Sequence, residues 1–382
     1  MKVFVIAGEA SGDRLGASFM RGLKSLTDVT FEGVGGPLMQ AEGMASIFPM
    51  EELSVMGFVE VLPKIRQLKR RIRETAEAAV STKPDLVLSI DSPDFCLRVA
   101  KLIKAQSDIR TVHYVAPSVW AWRAGRAVKM AKVIDHVLAL LPFEPPYMEA
   151  VGIECDFVGH PVVSEPQPSK DDLLAFRKTH GLDAAPVLLV LPGSRKAEVT
   201  RLGPIFTDVL REGCKTRPDL RLDVPTTANR AEQVRELVKD WSGDPVVIAP
   251  GRENADKDKS EKAAAFAVAD AALAASGTVS LELAAAGTPM LIAYDVNWIS
   301  RQIYKRLIKI DTLTLVNLVS ETRVVREFLG DDCRAELISP GLLKLLDNPD
   351  EQLEAMRLTM ERLGRGGEEP GLRAAKAVLK RL

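Results

Sequence analysis

The sequence has no excess of charge of one sign, because 51 Lys and Arg residues stand against 52 Asp and Glu residues and leave a formal net charge of -1. A dedicated nucleic-acid-binding protein normally carries a strong basic excess, so this balance argues against that class. Hydrophobic residues make up 46% and charged residues 27%, which excludes a disordered, collagenous or coiled-coil chain. At about 150 residues per domain, a length of 382 residues predicts two to three domains.

Cysteines, histidines and long apolar runs are also scarce. The 4 cysteines, Cys96, Cys155, Cys214 and Cys333, are widely spread and form neither a CxxC pair nor a metal-ligand spacing with the 4 histidines. This usage predicts reduced thiols in a cytoplasmic compartment and no metal site. The first apolar run is too short for a signal peptide, and no window of about 20 residues is uninterruptedly apolar, so we expect neither a leader nor a membrane-spanning helix.

Short, almost wholly apolar segments alternate with helical patterns along the chain. In the first half these segments are KVFVIAG, VTFEGVGG, LVLSID, TVHYVAP, HVLALLPF and CDFVGHP, and in the second half APVLLVLPG, LRLDVPT, PVVIAPG, AALAASG and PMLIAY. Such runs are typical of parallel strands that are covered on both faces. The pattern therefore predicts a doubly wound α/β fold with two Rossmann-like domains and a cleft between them.

A proline-rich polar stretch separates the two halves. By composition, the chain divides into an N-terminal domain, a linker, a C-terminal domain and a helical tail, which span residues 1–163, 164–185, 186–347 and 348–382. The polar run at 251–261 is predicted to be a solvated loop of the second domain. The path of the tail helices and the oligomeric state, a homodimer included, stay open.

The first predicted strand ends in the run GEASGD, residues 8–13, where a helix begins. Glycines at a strand-to-helix turn let backbone N–H groups approach a ligand, and a helix N-terminus favours an anion. The run is not GxGxxG, so it lacks the dinucleotide fingerprint. A tight turn shaped by its glycines, with Asp13 as a favourable first-turn acid, explains the run equally well.

A second polar turn, DSPDF at residues 91–95, follows the strand LVLSI. In open α/β sheets the carboxyl ends of the strands point at the ligand crevice, so Asp91 and Asp94 are well placed for proton transfer. The alternative is that Asp91 caps the turn and Asp94 is solvated, which suits Asp91 better. His113 also lies at a strand end, where a hydrogen-bonded structural histidine is the more common case.

The second half repeats this arrangement. Gly193, Ser194 and Arg195 end a strand and open a helix, and an arginine fork beside a Gly-Ser turn is suited to a diphosphate. An ordinary capped turn with a surface arginine is the alternative interpretation.

The most informative segment of the second half is AALAASGTVSLELAAAGTP. Its turn, Ser276, Gly277 and Thr278, presents a helix N-terminus to an anion. Glu282 shares a face with that turn and suits a ribose diol. We expect Glu282 to be buried on this Leu- and Ala-rich helix and therefore to need a partner.

One segment departs from the neutral average. Residues 64–73 contain six basic residues and no acid, with Ile65, Leu68 and Ile72 in an apolar stripe at helical spacing, and an apolar run precedes them. An apolar ridge that leads into a basic amphipathic helix is typical of interfacial membrane contact. The alternative is a stripe that faces the core beneath solvated charges. The residues of the predicted contact are Val55, Met56, Phe58, Val59, Lys64, Arg66, Lys69, Arg70 and Arg73.

Taken together, the motifs GEASGD, GVGGPLMQAEGM, DSPDF, HYVAPSVWAWR, LPGSR and SGTVSLELAAAGTPM closely resemble, in order and spacing, those of the lipid-A-disaccharide synthase family of Gram-negative lipopolysaccharide synthesis. The resemblance covers nearly the whole chain, and HYVAPSVWAWR and GVGGPLMQAEGM are its most specific parts. It implies a GT-B architecture. It also implies an inverting transfer from UDP-2,3-diacylglucosamine to 2,3-diacylglucosamine 1-phosphate (lipid X), with UDP and a β-1,6-linked disaccharide 1-phosphate as products.

The resemblance also implies roles for single residues. Asp94 matches the family's essential aspartate and would be the general base, while Arg195 and the 276–278 helix opening would neutralise the diphosphate without a metal ion or other cofactor. Glu282 would hold the ribose, and Asn317 matches a position near the donor. Glu9, Ser11 and Gly12 would line the acceptor side. Lipid substrates imply a cytoplasmic enzyme that is peripheral on the inner face of the inner membrane and contacts its anionic lipids.

Two other functions stay open at this point. A UDP-sugar epimerase of the same architecture would share the nucleotide-binding half but would have no use for an apolar ridge. A non-catalytic protein that binds a nucleotide sugar or a lipid would bind UDP without turnover. Acyl-chain length and the roles of His113, His160, Trp120 and Trp122 cannot be inferred from these patterns.

Overall fold

A computed structural model of the chain describes residues 1–53, 58–121, 125–182, 184–251, 255–275, 279–295 and 310–382, and only the backbone of residues 58–64 and 255–256. These residues form two compact units. The N-terminal unit comprises Met1–Ser164 and Leu363–Leu382, and the C-terminal unit comprises Glu165–Arg362. Each unit is built on its own parallel sheet flanked by helices, so the predicted class of two Rossmann-like α/β domains is confirmed.

The N-terminal unit contains a sheet of 7 parallel strands in the order β3-β2-β1-β4-β5-β6-β7. The strands are β1 Lys2–Ala7, β2 Thr30–Val34, β3 Ala45–Ser46, β4 Leu86–Ile90, β5 Arg110–Tyr114, β6 His136–Ala139 and β7 Glu154–Phe157. The helices that precede residue 164 are α1 Ala10–Lys24, α2 Pro37–Ala41, α3 Phe58–Thr82, α4 Pro93–Lys104, α5 Gly125–Met130 and α6 Pro145–Glu149. The central strand β1 pairs with β2 and β4, and its residues 3–7 are buried, as expected for a strand covered on both faces.

The C-terminal unit contains 6 parallel strands in the order β10-β9-β8-β11-β12-β13, which is the strand order of dinucleotide-binding folds. The strands are β8 Val187–Leu191, β9 Arg221–Pro225, β10 Val246–Ile248, β11 Ala271–Ala275, β12 Met290–Tyr294 and β13 Glu327–Leu329. The described helices of this unit are α7 Lys170–Thr179, α8 Lys196–Thr216, α9 Ala231–Leu237, α10 Ala255–Ala267, α11 Val279–Ala286, α12 Leu315–Ser320, α13 Ala335–Asp347 and α14 Asp350–Arg362.

The last helix, α15 Pro370–Lys380, completes the core of the N-terminal unit. Ala374, Ala375 and Val378 on this helix are buried in the same hydrophobic core as β1 and α1. The helices α1 and α15 cross closely because both carry glycine at the contact: a Cβ on Gly22 would lie 2.8 Å from the carbonyl oxygen of Gly371. The segment predicted as one tail, 348–382, is therefore divided between the two units.

The structure differs from the sequence prediction at three further places. The predicted loop at 251–261 is wrong, because α10 begins at Ala255; its charged first turns are solvated, while Ala264, Ala265 and Phe266 are buried. The predicted linker 164–185 contains α7, which packs against α10. The edge strands β3 and β13, of two and three residues, are too short to show a hydrophobic pattern.

Candidate active site

The predicted turns lie where the strand order of each sheet changes direction. In the N-terminal unit, β1 and β4 are neighbours whose next strands lie on opposite sides, and their carboxyl ends lead into GEASGD and DSPDF. In the C-terminal unit, β8 and β11 have the same relationship and lead into LPGSR and residues 276–278. Ligands of open α/β sheets bind outside the strand carboxyl ends at such a switch point, so the described turns GEASGD, DSPDF and LPGSR are candidates for ligand binding.

The two turns of the N-terminal unit touch each other. A Cβ on Gly8 would lie 2.7 Å from Oγ of Ser92, so only glycine permits this approach. Asp91 and Ser92 have φ of 50° and 44°, in the left-handed region that non-glycine residues rarely occupy. The Asp91 N–H donates to the carbonyl oxygen of Tyr114 at 3.0 Å, which ties this turn to β5. Consecutive strained residues at a strand end are characteristic of functional turns.

Three acidic side chains lie at these turns. Glu9 is half-buried; burial raises its pKa above the usual value, and the charge of Asp91 adds to the shift. Asp94 lies in the first turn of α4 and is exposed, so its carboxylate is accessible to a substrate hydroxyl. Ser11 is exposed as well, whereas Gly12 is buried, and a Cβ there would lie only 3.3 Å from Cβ of Ala7 at the end of β1. Gly12 therefore contributes close packing, not a side chain.

Asp13 serves the fold and is not a ligand-facing acid of its own helix. Its buried carboxylate accepts N–H bonds from Gly36 at 2.9 Å, Leu38 at 3.0 Å and Met39 at 3.0 Å. These N–H groups belong to the N-terminus of α2, which a carboxylate satisfies and stabilises. The motifs GEASGD and GVGGPLM are therefore linked through one capping carboxylate.

The histidines at and near the strand ends are structural. Nδ1 of His113 lies 2.8 Å from Oγ of Ser89, and burial lowers the pKa of His113 to about 4. Nδ1 of His160 accepts an N–H bond from Val162 at 3.2 Å, and burial lowers its pKa to about 4 as well. Both rings are neutral near pH 7, which agrees with the structural alternative for His113.

The β8–α8 turn is capped by a glutamate of its own helix and carries an exposed arginine, as in the alternative interpretation; binding of a diphosphate stays a prediction. Glu198 accepts the N–H groups of Ser194 at 3.0 Å and Arg195 at 3.1 Å, and it also pairs with the Arg195 guanidinium at 2.9 Å. A Cβ on Gly193, whose φ is 118°, would lie 2.6 Å from Cβ of Glu198, so this glycine makes room for the glutamate. The backbone N–H groups of Ser194 and Arg195 thus donate to a carboxylate of the protein itself. The side chain of Arg195, 73% exposed, is what the turn offers to a ligand.

The turn at Ser276, Gly277 and Thr278 lies outside the described residues. Glu282 lies on α11, which follows these residues in the chain, but the expectation of a buried glutamate is wrong, since its side chain is 35% exposed. Its Oε2 pairs with Nζ of Lys262 on α10 at 2.5 Å, which supplies the partner that the sequence could not show.

Asn317 on α12 is buried, and both N–H groups of its side chain are in use. Nδ2 donates to the carbonyl oxygen of Val325 at 2.8 Å and to Oγ1 of Thr312 at 3.0 Å, and Oδ1 accepts the N–H of Val325 at 3.0 Å. These bonds tie the segment after α12 to the segment before it. That Asn317 lies near the donor stays a prediction; in the structure its side chain holds the backbone of Val325 and the hydroxyl of Thr312.

The basic segment forms most of the exposed face of α3. Arg66, Lys69, Arg70 and Arg73 are exposed, and within the ranges described none of them forms an ion pair. Arg71 is different, because it pairs with Glu52 at 2.6 Å and with Glu74 at 2.7 Å. Hydrogen bonds from Arg71 and Gln67 lower the pKa of Glu52 to about 2. Of the apolar stripe, Ile72 packs on the core and Ile65 is exposed.

The remaining residues of the predicted membrane contact add no structural detail. Val55 and Met56 lie outside the described residues, and for Phe58, Val59 and Lys64 only the backbone of α3 is described.

Two buried carboxyl groups were not predicted from the sequence. Asp223 in β9 is 0% exposed, and neither of its oxygens has a hydrogen-bond partner of ordinary geometry among the described residues. Burial raises its pKa to about 8, the charge of Glu261 adds to the shift, and the nearby Val224 N–H opposes it. Its one sequence signal is a charged residue inside the apolar strand LRLDVPT.

Glu144, after β6, is the second buried carboxyl group. It accepts the Leu141 N–H at 3.0 Å and the Trp120 indole N–H at 3.3 Å. Burial raises its pKa to about 7, against these hydrogen bonds. Through this hydrogen bond Trp120 joins the loops after β5 and β6, which gives it a structural role that the sequence patterns did not indicate. Trp122 lies outside the described residues.

Neither a metal centre nor a membrane span is found in the part of the chain that the structure describes. No group of three or more His, Cys, Asp and Glu side chains is arranged to hold a metal ion there. No described helix combines the length and apolarity needed to cross a bilayer.

The fold defines the class of two-domain α/β proteins with a Rossmann-like parallel sheet in each domain. Among solved structures, the chain resembles the UDP-GlcNAc 2-epimerase of Neisseria meningitidis bound to UDP-GlcNAc, with a TM-score of 0.66, 14% identity and coverage of 100% of this chain and 99% of that one. It also resembles CalG4, the calicheamicin glycosyltransferase, with a TM-score of 0.57, 15% identity and coverage of 99% and 97%. These likenesses show the GT-B-type fold.

The sequence identifies the family. The family described as Lipid-A-disaccharide synthetase matches residues 3–380. The lipid-A-disaccharide synthase of Ruegeria pomeroyi is 62% identical over 100% of this chain and 96% of its own length. The chain belongs to this family of glycosyltransferases, and the resemblance recognised in its motifs is confirmed.

Proposed function

We propose that the protein joins UDP-2,3-diacylglucosamine to 2,3-diacylglucosamine 1-phosphate and releases UDP and the β-1,6-linked disaccharide 1-phosphate. The observation that carries this proposal is the 62% identity to a named synthase over the whole chain. The test is incubation of the purified protein with both lipids, with UDP release and disaccharide mass as readouts. UDP-GlcNAc alone should yield no epimer. Epimer formation, or UDP binding without turnover of the lipid pair, would contradict the proposal.

In the proposed mechanism, inversion results from a single displacement. The 6-hydroxyl oxygen of the acceptor forms the new bond to the anomeric carbon, the bond to the UDP oxygen breaks, and UDP leaves with that electron pair. Asp94 takes the hydroxyl proton, a role supported by its exposure in the first turn of α4. Glu9 and Ser11 contact the acceptor beside it, and Gly12 lets these two turns pack closely.

The departing UDP requires positive charge and hydrogen-bond donors in the C-terminal unit. We assign the diphosphate to the Arg195 guanidinium and to the turn at Ser276, Gly277 and Thr278, with Gly193 and Ser194 shaping the Arg195 turn through Glu198. Glu282 holds the ribose, and Asn317 acts through the backbone that it fixes. In this proposal protein groups balance the leaving charge, and no divalent metal is required.

Arg195→Ala should weaken UDP binding by about 10–100-fold, since hydrogen bonds to charged groups contribute about 1.5–3 kcal/mol. Titration calorimetry with UDP measures the effect. Arg211→Ala is the matched control, because Arg211 is an exposed, ion-paired arginine on the same helix α8. Turnover should persist in EDTA. Unchanged UDP affinity in Arg195→Ala would exclude the assignment, and activity that returns only with Mg²⁺ would exclude the metal-free scheme.

We further propose that α3 holds the enzyme at an anionic membrane surface. A variant in which Gln replaces Arg66, Lys69, Arg70 and Arg73 should bind vesicles with anionic lipid roughly 10³-fold more weakly, since each cation contributes about 1 kcal/mol to binding. Flotation at increasing salt measures binding, which should weaken as salt screens the charges. The control substitutes four exposed cations of the C-terminal unit, Lys178, Arg211, Lys215 and Arg235, for the same change in net charge. Equal flotation of both variants would contradict this role of α3.

A further inference from the structure

An apolar groove of about 430 Å³ opens on the N-terminal unit between α5 and α6. Among the residues that the structure describes, no charged side chain lines it; its walls include Val119, Ala127, Val128, Pro146, Tyr147 and Val151. Val128 and Tyr147 are 52% and 46% exposed, so large apolar side chains from both helices reach solvent at one place. A contiguous apolar patch, unlike scattered single residues, indicates a binding surface.

The groove is held open by packing beneath and beside it. Met130 of α5 and Met148 of α6 are buried in one hydrophobic cluster with β6, which fixes the spacing of the two helices. Trp120, which follows the lining residue Val119 in the chain, donates to Glu144 at 3.3 Å and packs edge-on against Phe143, with ring centroids 5.2 Å apart. This polar and aromatic contact joins the loops that lead to α5 and α6. The groove is therefore formed without a ligand, as is usual for small-molecule sites.

The groove and the turn that carries Asp94 lie at the same edge of the N-terminal sheet. The loops that carry its walls follow the carboxyl ends of β5 and β6, and the Asp94 turn follows β4 in the same sheet. Neighbouring strands lie about 4.8 Å apart, so the end of β6 is about 10 Å along the sheet edge from the end of β4. A ligand with a sugar at Asp94 and a long apolar substituent can occupy both places.

We propose that this groove holds one acyl chain of the acylated sugar acceptor while the sugar lies at the Asp94 turn. The inference rests on the proposed function, which supplies a substrate with apolar chains. An uncharged lining is unsuited to a nucleotide diphosphate but suits a hydrocarbon chain, and a concave site encloses a single chain better than it fits a bilayer surface. The groove thus gives the enzyme a means to discriminate acceptors by chain length.

The test uses a double variant, Val128→Ser with Tyr147→Ser, in the full chain. Both side chains are half-exposed, so the thermal transition and UDP affinity should be unchanged. The KM for a long-chain acceptor in neutral mixed micelles should rise about 10–100-fold, while kcat/KM for a short-chain, water-soluble acceptor should stay within about twofold. The matched control is Leu38→Ser with Leu174→Ser, which removes two apolar side chains that are 50% and 66% exposed elsewhere.

A binding measurement separates this inference from the proposed function. Trp120 directly follows the lining residue Val119 in the chain. A glucosamine 1-phosphate with a brominated acyl chain should therefore quench tryptophan fluorescence in the native protein and not in the double variant. Quenching without turnover by the native protein would reject the proposed function and keep the groove. Turnover with equal loss for both chain lengths, or reduced vesicle flotation with an unchanged micellar KM, would overturn the acyl-chain site.

Discussion

Asp94→Asn should lower kcat by roughly 10²–10⁴-fold, the usual effect of removing a general base. The amide keeps the shape of the side chain but cannot take the proton of the acceptor hydroxyl. UDP affinity should be unchanged, because the donor is assigned to the C-terminal unit. Single-turnover rates with both lipids, together with titration calorimetry for UDP, separate the chemical step from binding.

The control for this variant is Asp108→Asn. Asp108 is an exposed aspartate that follows the opposite end of α4, at the other edge of the sheet, so its loss should leave kcat unchanged. Near-normal turnover of Asp94→Asn would remove Asp94 from the role of base. A comparable loss in Asp91→Asn but not in Asp94→Asn would move that role to the strained residue of the same turn.

Asp223→Asn should become progressively more stable than the native protein as the pH rises. The pKa of Asp223 is raised from 3.8 to about 8, so between these values the folded protein keeps a proton that the unfolded chain has lost. The free energy of unfolding of the native protein therefore falls as the pH rises from about 4 to about 8. The Asp223→Asn variant does not lose this free energy, because its amide does not titrate. With 1.36 kcal/mol for each pKa unit, the gap between the two proteins should grow by about 6 kcal/mol.

Urea denaturation at intervals from pH 2 to pH 9 measures this gap and also covers the acidic range in which the control titrates. Asp219→Asn is an informative control, because a hydrogen bond from Arg217 lowers the pKa of Asp219. Asp219→Asn should lose stability relative to the native protein as the pH rises through the acidic range, whereas Asp223→Asn should gain relative stability as the pH rises. A gap for Asp223→Asn that does not change with pH would show that the carboxyl group titrates normally.

Much of the fold could be predicted because its strands are continuous apolar runs. All eleven predicted strands form, whereas β3 and β13 were missed because two or three residues at a sheet edge carry no pattern. The helix α10 was missed because its first turns are charged, and a solvated helix face has the composition of a loop.

The position of the candidate site was also predictable, but its contacts were not. Strand ends in a parallel sheet meet at one edge, so the turns around Asp94 and Arg195 could be located from sequence alone. The partners of Glu282 and Asn317 come from other elements, and no local spacing reveals them. Glu198 is a case in between, since it lies three residues after Arg195, where a capping glutamate is common.

The contact between α1 and α15 at their glycines affects the order in which the two units fold during synthesis. The ribosome adds α15 only after the entire C-terminal unit, yet Ala374 and Ala375 fill the first core. Domains usually fold in order as they emerge during synthesis. Here the N-terminal unit cannot complete its core until α15 has been made, and until then the surface around Ser18 and Gly22 is uncovered. A nascent chain of this enzyme therefore completes its second domain first.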